Sequence, residues 1–125
     1  MRPISEEEMR GYVEGFRARS ALLEARRQEI EARAKETLAR CVEQLRAIPE
    51  VRRIILYGSL AKGTFGMGSD IDLVVEGLPM EAHLRLGSAL DRDAPFDVDL
   101  QRWEELRDDF RRVVQSHGRV LYERP

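Results

Sequence analysis

A single cysteine, Cys41, is all the chain carries, so neither an internal disulfide nor a cysteine-based zinc site is open to it. A reduced, cytoplasmic setting fits that usage. Charge of one sign is missing too. Twenty-one Lys and Arg stand against 23 Asp and Glu, a net charge of -2, which exerts no overall pull on nucleic acid or an anionic membrane. Direct nucleic-acid binding is therefore not expected. No apolar run approaches the ~18 residues that span a bilayer, and the opening MRPISEEEMR lacks the apolar stretch of a signal peptide. Membrane contact is not expected either. At 125 residues there is room for one modest core and none for a second catalytic domain. Disorder is excluded by 42% hydrophobic residues, enough to build that core despite 35% charged ones. The two histidines, His83 and His117, lie far apart and read as solvent-facing helix residues.

What is present begins with helical periodicity. Ile30, Ala34, Leu38, Cys41, Leu45 and Ile48 alternate steps of four and three, one face of an α-helix that Pro49 stops. A weaker stripe runs upstream through Met9, Val13, Phe16 and Leu23, with Ser5 and Glu8 as a capping-box start. The favoured reading is two helices on one core with a break near Ser20. The alternative is one continuous helix, ~60 Å long at 1.5 Å per residue, which projects as an arm and buries its stripe against another chain.

Residues 51–57, VRRIILY, read as a buried strand, and residues 71–76 as a second. A polar, glycine-rich loop joins them. Residues 79–90 read as a short helix with Pro79 in its first turn, residues 96–100 as a third strand, and residues 119–122 as a last one. Trp103, Leu106, Phe110, Val113 and Val114 repeat at helical spacing up to Gly118, and Trp103 is expected to anchor that helix on the sheet. The arginine runs Arg26-Arg27 and Arg111-Arg112 read as solvated helix faces, and Cys41 as core. The fold class is α/β, a small mixed sheet covered by helices and preceded by a long N-terminal helical segment. No internal repeat is evident.

The chemistry gathers where Gly58-Ser59 is followed, after ten residues, by Asp70-Ile71-Asp72. Alternation along a strand puts both carboxylates on one face and Ile71 in the core. Two such charges repel, and a divalent cation relieves them. Magnesium suits best, since it accepts a few protein oxygens and fills its shell with water and phosphate. Gly58 lets backbone amides approach a phosphate closely, and the Ser59 hydroxyl can donate to it. Phe96-Asp97-Val98-Asp99-Leu100 repeats the pattern, so Asp97 or Asp99 can supply a third carboxylate. Three carboxylates can hold two ions ~3.5 to 4 Å apart, which clamps both oxygens of a phosphoryl displacement. An isolated Asp-x-Asp means little. Haloacid-dehalogenase-like phosphatases place such a pair after their hydrophobic strand rather than at its start, and glycosyltransferases need a longer chain.

Over LYGSLAKGTFGMGSDIDLVVEG, and onward through VDL to RVLYE, the chain resembles the DNA polymerase β-like nucleotidyltransferase superfamily, in its minimal, MntA-type antitoxin branch. The resemblance implies a catalytic core over residues 49–125, with residues 1–48 packed on it or projecting. It implies that Asp70 and Asp72 bind two Mg2+ ions and that Asp99, in its VDL context, is the third ligand in preference to Asp97. Gly58, Ser59, Ser69 and Lys62, where relatives often carry arginine, would hold the triphosphate of ATP or another nucleoside triphosphate. The implied reaction moves AMP, or another nucleoside monophosphate, to a hydroxyl. Its acceptor would be a tyrosine of a HEPN-like toxin, and the N-terminal helices would serve that partner or a homo-oligomer. A binding module that acts by contact alone and an aminoglycoside-type small-molecule transferase are the alternatives.

Overall fold

The computed structural model describes residues 1–93 and 96–125, without the side chains at positions 88 and 90–93. Its first element, α1 (Glu6–Arg46), is one unbroken helix of 41 residues. The favoured break near Ser20 is therefore wrong. Serine costs only a few tenths of a kcal/mol in a helix, and the run around it, Ala18 to Ala25, is rich in strong helix formers. The start is where Ser5 and Glu8 placed it. Ser5 Oγ accepts the Glu8 N–H at 3.1 Å, and three glutamates occupy the first turn. Glu8 itself turns outward to Arg2, at 2.7 Å.

Four strands follow: β1 (Arg53–Tyr57), β2 (Ile71–Glu76), β3 (Val98–Arg102) and β4 (Arg119–Glu123). They form one mixed sheet in the order β3-β2-β1-β4. Strand β1 is antiparallel to both β2 and β4, whereas β2 and β3 run parallel. A parallel pair needs a crossover, and α3 (Met80–Asp93) supplies it. The third strand begins two residues later than its sequence suggests, leaving Phe96 and Asp97 ahead of the ladder. The one-turn helix α2 (Ser59–Lys62) caps β1, and α4 (Asp108–His117) precedes β4. Trp103 to Glu105 form a separate 3-10 turn, so the helical spacing that began at Trp103 becomes regular helix only from Asp108.

Alternation divides the sheet. Ile54, Leu56, Ile71, Leu73, Val75, Val98 and Leu100 face the main core with Phe65 and the lower half of α1, where Ala34, Leu38, Cys41 and Leu45 are buried. Burying a leucine such as Leu45 contributes about 1.5–3 kcal/mol. The other face carries Ile55 and Val74 under Val114, with Tyr57, Trp103 and Phe110 around them. Trp103 serves as the expected anchor, with Arg53 and Arg111 over its ring at 4.8 and 5.2 Å. Arg111 is thus not merely a solvated charge. His83 also departs from expectation. It is half-buried, and its Nε2 lies 2.7 Å from the Leu100 carbonyl oxygen, tying α3 to β3. His117 is exposed.

The upper half of α1 leaves the core. Met9, Val13, Phe16 and Leu23 are exposed. Its root is fixed by Arg27, which pairs with Glu24 and Glu31 and also donates to the Phe65 carbonyl at 3.0 Å. That last bond makes Arg27 a strut rather than a solvated charge. No helix among the described residues is long and apolar enough to cross a membrane.

Candidate functional site

Strand β1 ends at Tyr57, and Gly58 follows at φ 77°, ψ -155°, a conformation open essentially to glycine alone. Space demands glycine as well, because a Cβ there would run into Asp72 Oδ2. The chain turns at once into α2, whose end is closed by Gly63 at φ 77°. Ser59 is half-buried and opens that turn, while Lys62 ends it with its side chain exposed.

The loop back to β2 is held from within. Phe65 is buried and meets Phe96 edge-on at 5.5 Å. Ser69 Oγ accepts the Gly66 N–H, and the Ser69 N–H returns to the Gly66 carbonyl, each at 3.1 Å. The serine hydroxyl proton stays available to a ligand. This small closed turn delivers Asp70 to the mouth of β2, and the Ile71 N–H fastens it to the Asp97 carbonyl at 2.9 Å.

The register brings the acids together. Tyr57 lies opposite Asp72 across the antiparallel pair, and Asp72 lies opposite Asp99 across the parallel one. The three form one row on one face, with neighbouring strands ~4.8 Å apart. Burial first, then Asp99 and Asp70, push the Asp72 carboxyl up to about 6. The Tyr57 phenol rises to about 12, through burial and then the same charges, Asp72 and Asp99. Among the described residues, none of Asp70, Asp72 and Asp99 forms a salt bridge.

Two residues escaped the sequence reading, Tyr57 in this row and Gln101 beside it. Gln101 Nε2 donates to Tyr57 Oη and to Asp99 Oδ2, both at 3.1 Å, and so steadies the third carboxylate. Its spacing of two from Asp99 was the available signal. Tyr57 gave none, because its place follows from strand pairing. Asp97 stands apart from Asp99. It precedes the strand and, with Gly68, Ser69, Asp70 and Phe96, lines a hollow of about 150 Å³. Lys62 makes no side-chain bond to the acids among the described residues.

A half-buried carboxylate, Asp72, repelled by the exposed Asp70 and Asp99 with no cationic side chain bridging them, is a donor set suited to a hard divalent ion. Among the described residues no three potential ligands are already gathered on one ion position. Magnesium does not require that, since it is commonly held by one or two carboxylates plus substrate phosphates.

A mixed sheet with a glycine turn against paired aspartates defines a nucleotide-handling α/β domain. The chain belongs to the polymerase beta nucleotidyltransferase family, whose profile matches residues 39–125. No curated protein matches it. Among solved structures, a chain of a substituted MntA–HpeT toxin–antitoxin complex shares 29% identity and a TM-score of 0.59, over 69% of this chain and 72% of that one. A toxin–antitoxin complex with AMP-PNP gives 26% and 0.59, over 71% and 73%. A tri-AMPylated Shewanella oneidensis HEPN toxin in complex with its MNT antitoxin gives 24% and 0.57, over 72% of each chain, a likeness of fold.

Proposed function

We propose that this protein transfers AMP from ATP to a hydroxyl of a partner protein, a HEPN-like toxin, and so acts as an antitoxin in the cytoplasm. The observation that carries the reading is the row of Asp72 and Asp99 set against the Gly58 turn. Residues 49–125 form the catalytic core, the lower half of α1 packs on it, and the exposed upper half serves the partner. Family membership and the similarity to a toxin–antitoxin complex with AMP-PNP support both the nucleotide and the setting.

Asp70, Asp72 and Asp99 would hold Mg2+, which when bound neutralises charge on the phosphates and polarises them. Backbone amides after Gly58 and the hydroxyls of Ser59 and Ser69 orient the triphosphate, and Lys62 reaches it as a point charge. The acceptor oxygen attacks the α-phosphorus in line, a new P–O bond forms, the bond to the β-phosphate bridging oxygen breaks, and pyrophosphate departs. Asp99, steadied by Gln101, takes the acceptor proton. Positioning and charge neutralisation supply most of the rate.

The test is transfer of label from α-labelled ATP to the co-expressed HEPN partner in Mg2+. The wild type labels the partner and Asp70→Asn does not. If Asp70→Asn still neutralises the toxin fully, the protein acts by contact alone. The exposed stripe of α1 favours testing that outcome explicitly.

A further inference from the structure

Gln101 stands on β3 opposite Val74 and reaches over β2 to the end of β1, where it meets Tyr57. Its amide has only one permitted orientation. An ionised carboxylate accepts and never donates, so the end that lies 3.1 Å from Asp99 Oδ2 is the NH2 group. The same nitrogen lies 3.1 Å from Tyr57 Oη and has no lone pair to offer. Tyr57 Oη therefore accepts from Gln101, and the phenol's own proton points elsewhere.

That proton is unspent. Gln101 is the one hydrogen-bond partner of Tyr57 Oη among the described residues. Asp72, which faces Tyr57 across the strands, turns its Oδ2 to Gly58 instead. An ordinary phenol keeps its proton at neutral pH, so one O–H donor stands in a row of carboxylates with nothing to receive it. Phe110 meets the Tyr57 ring edge-on at 5.6 Å and holds it in place.

Hydrogen-bond valence selects what receives it. Two bonds of 3.1 Å from one nitrogen leave Tyr57 Oη and Asp99 Oδ2 no more than about 6 Å apart. A further oxygen spans such a gap with two O–H···O bonds of about 2.7–3.0 Å. One bond runs to it from Tyr57, and the other runs from it to Asp99, which only accepts. The occupant is thus an oxygen that carries a proton and also takes one. A phosphate oxygen of ATP fails on both counts, since at neutral pH it brings no proton to Asp99 and repels its charge. A hydroxyl meets the requirement. Water meets it as well, and the test separates the two.

We infer that Tyr57 is a further catalytic residue of the transfer, its phenol donating a hydrogen bond to the acceptor hydroxyl oxygen while that hydroxyl gives its proton to Asp99, with Gln101 as the positioning residue that aims both. The phenol keeps its own proton throughout. It contributes by stabilising the negative charge that grows on the acceptor oxygen before the new P–O bond forms. The inference deepens the transfer reading and rests on it.

Transfer from α-labelled ATP to the co-expressed partner in Mg2+ is followed for the wild type, Tyr57→Phe, Gln101→Met and the double variant, alongside AMP released to solution. Phenylalanine preserves the contact with Phe110, so Tyr57→Phe should keep the wild-type circular dichroism. It should lower kcat for partner labelling by about 10- to 100-fold and leave KM for ATP within about twofold. That split belongs to a group that meets the acceptor and not the nucleotide. Gln101→Met, similar in length but without N–H groups, should lower kcat at least as far. Adding Tyr57→Phe to it should cost less than about a further twofold, because the phenol is no longer aimed. Partner labelling by Tyr57→Phe at the wild-type rate, with or without a fall in released AMP, would overturn the inference and leave the transfer reading in place. So would a raised KM for ATP at unchanged kcat, full activity in Gln101→Met, or multiplicative losses in the double variant. A wild type that labels no partner overturns the transfer reading itself, and the inference falls with it.

Discussion

Gly58 and Asp72 illustrate how single residues set the site. Alanine at position 58 meets both a positive φ of 77° and the Asp72 carboxylate, so Gly58→Ala should lose about 1–3 kcal/mol in urea unfolding. Displacing Asp72 should also lower the transfer rate by about 100-fold. Asp72 titrates near 6 in the fold and near 3.8 when free, so its ionisation weakens the folded state as pH rises between those values. Above pH 6 the penalty is complete, and below about 4 it has gone. Asp72→Asn should therefore stabilise the metal-free protein at pH 7 by about 1 kcal/mol after allowance for solvent screening, with no gain at pH 3.5. Thermal melts across that range, with and without Mg2+, check it. Added Mg2+ should stabilise the wild type and leave the asparagine variant unmoved. Gly58, Ser59, Asp70 and Asp72 were legible because their relation is local, one turn and one alternating strand. The partnership of Asp72 with Asp99 depends on a parallel register that no local spacing encodes. Gln101 and Tyr57 entered with that register.

At the scale of elements, α1 behaves as two halves of one rod. Its lower half is core, and Leu45→Ala should cost about 2–5 kcal/mol by leaving a cavity. Its upper half leaves Met9, Val13, Phe16 and Leu23 exposed, and Phe16→Ala should change stability by no more than about 0.5 kcal/mol. Chemical denaturation of the two variants distinguishes this arrangement from a helix folded back on the domain. The periodic stripe identified both halves, and their continuity was missed because the apolar stripe weakens upstream of Ile30, although the helix formers around Ser20 carry the helix through. Similarly, Trp103 belongs to the apolar set of α4 through space while sitting in a separate turn. His83 looked solvent-facing because the carbonyl it meets lies 17 residues away in sequence.

For the molecule as a whole, a compact chain of this length would have a radius of gyration of ~14 Å. The straight α1 alone is ~60 Å long. X-ray scattering from the monomer should give a maximum dimension no shorter than that, and a value near 40 Å would require the arm to bend.

The bond from Arg27 to the Phe65 carbonyl carries a mechanical consequence. The free length above it, Glu6 to Arg27, is ~30 Å, and its root is fastened to the very loop that delivers Asp70. A 5° tilt sweeps the tip through ~2.5 Å at that length, whereas a hydrogen bond of 3.0 Å stretches by only a few tenths of an ångström before it weakens. Load applied at the tip is therefore felt first at Phe65 and the serine-closed turn beyond it, as on the short side of a lever.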